Sequence, residues 1–107
     1  MPLSLSQHVH RPCSWRFAPA IGLVLLDGPG NGAGFPVLWA GSVQGGTRIC
    51  RLSVRMSLKG RRRLRRGRHF RVEFFPSRSN EPGPVWQCRY IGRISHGGLV
   101  TLRGEIL

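Results

Sequence analysis

The sequence predicts a small, mostly β protein: a four- to six-stranded antiparallel sheet or partly open barrel, preceded by a Gly- and Pro-rich, poorly ordered N-terminal region. Three observations carry this reading. Apolar residues alternate with polar ones at period two through most of the second half, as in strands with one face buried. Helical periodicity is weak throughout. Gly and Pro, 15 and 8 of 107 residues, punctuate most windows too often for a long helix.

In chain order, residues 1–43 hold Arg11, Arg16 and Asp27, a net of +1, and residues 44–107 hold the other +12. The first segment reads as apolar and poorly ordered, with short strands at Ile21 to Leu26 and Pro36 to Ala40 on either side of a Gly-rich loop. The second, 44–107, reads as the basic, β-rich part. From Arg51 to Leu58, the residues Leu52, Val54, Met56 and Leu58 share one face, with Arg51, Ser53, Arg55 and Ser57 on the other. His69 to Phe74 repeats the pattern with Phe70, Val72 and Phe74 inward. After a loop, PSRSNEPGP, the run Val85 to Ser95 puts Trp86, Cys88, Tyr90 and Ile94 on one face, interrupted at Gly92. A turn at His96 to Gly98 then leads into Leu99 to Ile106, so these last two runs form a hairpin.

Between the Arg51 and His69 runs lies KGRRRLRRGRHFR, residues 59–71. Its Lys59, Arg61, Arg62, Arg63, Arg65, Arg66, Arg68 and Arg71 supply eight of the net thirteen positive charges, with no acid among them. The tract reads as a connection between two antiparallel strands, bounded by Gly60 and Gly67, or as a helix that orders on RNA. Charge this dense gains free energy when a polyanion replaces its counterions. Arg in place of Lys, sixteen to one in this chain, favours bidentate phosphate contacts and stacking on bases.

These features predict a small non-enzymatic cationic protein that binds RNA or DNA phosphates, without reading sequence, through those eight residues. The same tract would serve as a nuclear or nucleolar address for an import receptor. If all eight engage single-stranded RNA, log affinity falls against log salt with a slope of about −5.6, from roughly −0.7 per phosphate. One alternative partner is an anionic membrane surface, with the apolar N-terminal half in the interface. Another reading is a GC-rich alternative frame without a selected activity, because Arg, Gly and Pro, 39 of 107 residues, share GC-rich codons.

Other chemistries find little support. Catalysis needs a nucleophile, a base and an orienting group, and the chain has four acids, Asp27, Glu73, Glu81 and Glu105. Gly28, Gly30 and Ala33 satisfy G-x-G-x-x-A after an apolar run, but Pro29 removes a donor and no helix follows, so a plain loop is expected and no cofactor. His8, His10 and Cys13 lack a fourth ligand at a fixed spacing, so no metal site is expected. Cys13, Cys50 and Cys88, 37 and 38 residues apart, read as reduced structural thiols, and a Cys50 to Cys88 bridge is neither supported nor excluded. Residues 17–26, FAPAIGLVLL, have the length of a signal-peptide core, and the acid-free region before Asp27 has the composition of a mitochondrial presequence. Pro2, Pro12 and Pro19 spoil an import helix, which leaves an unstructured N-terminus with a short buried strand as the reading. The aromatics Phe70, Phe74, Trp86 and Tyr90 fall mostly on inner faces, with Phe75 and Trp15 the candidates for exposure.

Overall fold

In the computed structural model, which describes residues 18–28, 34–42 and 48–107, six strands close into an antiparallel barrel. They are β1 (Gly22–Leu26), β2 (Phe35–Ser42), β3 (Ile49–Arg55), β4 (His69–Phe74), β5 (Val85–His96) and β6 (Leu99–Ile106), with one short helix, α1 (Leu58–Arg63), between β3 and β4. Around the barrel the order is β1, β2, β3, β6, β5, β4, and β1 closes on β4 from Gly22 opposite Phe74 to Leu26 opposite Phe70. The strand runs read from alternation are all present, and closure removes the edges that an open sheet would expose.

A barrel this narrow has an interior filled by side chains rather than a channel. Here the filling is aliphatic apart from two aromatic rings: Val24, Val37, Leu52, Val54, Val72, Val100 and Leu102 share the core with Phe70, all wholly or almost wholly buried, and with Tyr90. Gly104 on β6 makes the room, since a Cβ there would stand 2.8 Å from Phe70 Cζ. Cys50 and Cys88 project into the same interior as free thiols, hydrogen-bonded to each other. That bond, and then burial, push the Cys88 thiol well above its ordinary range, so it stays protonated as a structural group.

Four details depart from the sequence reading. The break in charge near residue 43 is not a break in the fold, because β1 and β2, both within 1–43, are barrel strands whose Val24, Leu26, Val37 and Ala40 belong to the one core. Leu58 does not continue the inward row of β3. It is the first residue of α1 and 53% exposed, because the chain turns into the helix after Met56. Ile94 leaves the face of Cys88 and Tyr90, because a bulge between Tyr90 and Gly92 shifts the register, and it is 60% exposed.

The fourth concerns the tract. β3 and β4 run antiparallel but are not neighbours: two strands separate them in either direction round the barrel. Their connection therefore crosses one mouth of the barrel along a diameter. Crossing requires packing, and α1 provides it. Ser57 caps the helix by accepting from the Gly60 amide at 3.3 Å, and the last turn carries Arg61, Arg62 and Arg63, the sign that suits a helix C-terminus. Gly60 sits so close to the core that a Cβ would lie 2.5 Å from Phe35 Cζ and 2.8 Å from Met56 Cγ. Leu64, buried, completes the plug. Gly67, at φ +86°, then turns the chain into β4.

Candidate polyanion-binding surface

The eight tract residues are held at the α1 end of the barrel, which also carries the β1–β2 connection and the turn between β5 and β6. The fold divides them into two groups. Arg61, Arg68 and Arg71 are engaged by the protein itself. Arg61 Nη1 donates to the Gly97 carbonyl in the β5–β6 turn at 2.8 Å, and Arg68 Nη2 donates to the carbonyl of Asp27 at the end of β1. The Nε atoms of both are shielded from solvent. Arg71 pairs with Glu73 two residues along β4, Nε to Oε2 at 2.6 Å, on the outer face. Arg63 is half-buried.

Lys59, Arg62, Arg65 and Arg66 form the other group. All four are exposed, and none of their side chains makes an ion pair or hydrogen bond among the described residues. The reason is local. Gly60 and Leu64, four apart, define the inward side of the connection, and the residues between and beyond them are directed away from the core. Of the four acids, Glu73, Glu81 and Glu105 lie toward the opposite mouth, where Arg71 takes Glu73 and Arg89 takes Glu105 at 2.9 Å. Asp27, the one acid at this mouth, makes no ion pair among the described residues. Four cations on a capped mouth, fixed at their backbone and free at their guanidinium or ammonium ends, can hold phosphate oxygens without reading base edges.

Sequence reasoning located the tract but gave all its charges the same role. It missed that Arg61 and Arg68 tie the cap to two other connections, which depends on Gly97 and Asp27 lying at the same mouth and leaves no trace in local pattern. It also passed over the exposed arginines of the strands, Arg51, Arg55 and Arg103, although alternation did place all three outward. Phe75 is exposed, as expected, and Trp15 lies outside the described residues. So do His8, His10, Cys13, Gly30 and Ala33; among the described residues no three of His, Cys, Asp and Glu converge on a metal-sized site. The chain matches no family model, and no curated protein or solved structure shows significant similarity to it.

Proposed function

We propose that this protein is a non-enzymatic binder of RNA or DNA phosphates, using the capped mouth of its barrel as the contact surface and the same cations as a nuclear or nucleolar address. The observation that carries this reading is the separation within one tract of arginines bound to the protein from Lys59, Arg62, Arg65 and Arg66, which face solvent with no acid paired to them. A fold that merely tolerated charge would gain by placing carboxylates among them, and a net +13 chain that leaves four cations together gains by meeting a polyanion. The membrane alternative is less well supported. It needs the apolar N-terminal half at the interface, whereas Val24, Leu26, Val37, Leu38 and Ala40 are buried in the barrel.

The test is binding to single-stranded RNA across a salt series. Four contacts predict a slope of log affinity against log salt of about −2.8, at roughly 0.7 per phosphate, in place of the −5.6 that eight would give. A slope between zero and about −1 would remove the proposal. Replacing Lys59, Arg62, Arg65 and Arg66 by Ala should flatten the slope and, in cells, release a fluorescent fusion from the nucleus.

A further inference from the structure

A second basic surface lies on the outside of the barrel, away from the tract's own residues, and strand register defines it. Across four adjacent strands one outward row reads Gly41 on β2, Arg51 on β3, Arg103 on β6 and Gly92 on β5. Arg51 and Arg103 are direct cross-strand partners, both exposed and without an ion pair among the described residues. Like charges placed directly opposite destabilise a sheet. The nearest carboxylate in the ladder, Glu105, pairs with Arg89 and does not relieve them.

Each end of the row is a glycine. Gly92 is open, with nothing within 4 Å of where its Cβ would stand. Gly41 is roofed instead by Trp39, whose indole Cη2 would come within 2.7 Å of a Cβ at Gly41. A bulge in β2 between Val37 and Trp39 turns this tryptophan outward, opposite Ser53 in the next row, and leaves it half-buried. The result is an indole over Gly41, at the end of a row that continues into two guanidiniums without an ion pair among the described residues. Three strand spacings, roughly 14 Å, separate the ends of the row. Along β3, Arg55 continues the exposed cations from Arg51 toward α1.

We propose that the outer face of β2, β3, β6 and β5 is a platform for single-stranded nucleic acid, on which Trp39 stacks a base and Arg51 and Arg103 hold the flanking phosphates. This rests on the polyanion reading above and narrows it to a strand with accessible bases, because a duplex hides the faces that an indole can stack on. Arg55 then leads the backbone toward the capped mouth. RNA and DNA share the chemistry required, and the platform offers no base-edge readout.

The test uses the full chain with oligouridine, oligothymidine, a duplex of matched length, and heparin, a polyanion without bases. Trp39→Leu should weaken binding of both single strands about tenfold, with little change for heparin. The Arg51→Gln, Arg103→Gln double variant should make the oligouridine salt slope shallower by about 1.4 while melting no lower than the parent, since it removes a like-charge pair. In case Trp39→Leu fails to fold, the Trp15→Phe, Trp86→Phe variant keeps Trp39 as the one tryptophan, whose fluorescence should be quenched by oligouridine and not by heparin. Unchanged binding and slope in the arginine double variant, or a Trp39 emission indifferent to oligouridine, would overturn the platform. If these fail while the capped-mouth variant still loses binding, the platform alone is wrong; if the parent binds no nucleic acid, both readings fall together.

Discussion

The two mouths of the barrel are made from the ends of the same six strands, and they differ in how the chain turns across them. At one, β3 must reach β4 on the far side, and the connection is folded into the core by Gly60 and Leu64 while its cations face out. At the other, β4 turns to its neighbour β5 through residues 75–84, with Arg78 and Glu81 the loop's only charges and with Phe75 and Val85 exposed. Arg48, also at that end, is taken up by the chain terminus, donating to the carbonyls of Ile106 at 2.7 Å and Leu107 at 3.1 Å. A connection between neighbours makes few demands on sequence. A connection along a diameter has to carry a piece of core with it, and that piece fixes the arginines interleaved with it in space.

This contrast can be broken most directly at Leu64. Leu64→Ala removes the plug and should cost about 2–5 kcal/mol in chemical denaturation, whereas Phe75→Ala at the opposite mouth should stay within about 0.5 kcal/mol. Equal losses would mean that the cap is not part of the core. Next comes Gly60→Ala. Ala is the better helix former by roughly 1 kcal/mol, yet the overlap with Phe35 and Met56 should make the variant less stable by about 1–3 kcal/mol. Gly98→Ala, with open space around it, is the matched control and should be near neutral. The smallest effects sharpen the division inside the tract: Arg61→Ala should lose about 1 kcal/mol with its bond to Gly97, while Arg62→Ala should leave the melt unchanged and weaken polyanion binding. A stability loss at Arg62 as large as that at Arg61 would erase the distinction.

Much of the barrel could be read from the chain because β3 to β6 each carry a period-two record and β1 and β2 are apolar runs bounded by a Gly-rich loop. His69 to Phe74 and Leu99 to Ile106 match β4 and β6 from end to end, and the others agree to within a few residues. What could not be read is which strand lies beside which. Arg51 is visibly outward in its own run, but its proximity to Arg103 is a property of the β3–β6 pairing, fifty residues apart in sequence. The same limit hid the cap. Six helical residues, 58–63, have too little length for a periodic signal, and their stability comes from Phe35 and Met56 rather than from propensity. Alternation also assumes unbroken register, so the bulge that turns Ile94 outward reversed a face that alternation placed inside.

The pairing of β3 with β6 also sets a condition on synthesis. β3 is translated before α1, β4 and β5, but the partner on one of its flanks, β6, follows all three. Until Leu99–Ile106 has emerged, the nascent protein presents two unsatisfied edges, on β3 and on β5, with the arginine-bearing cap already translated between them. Closure of the barrel thus waits for β6. A stop codon in place of Leu99 should therefore not trim the protein but leave an open, edge-exposed sheet prone to pairing with other chains.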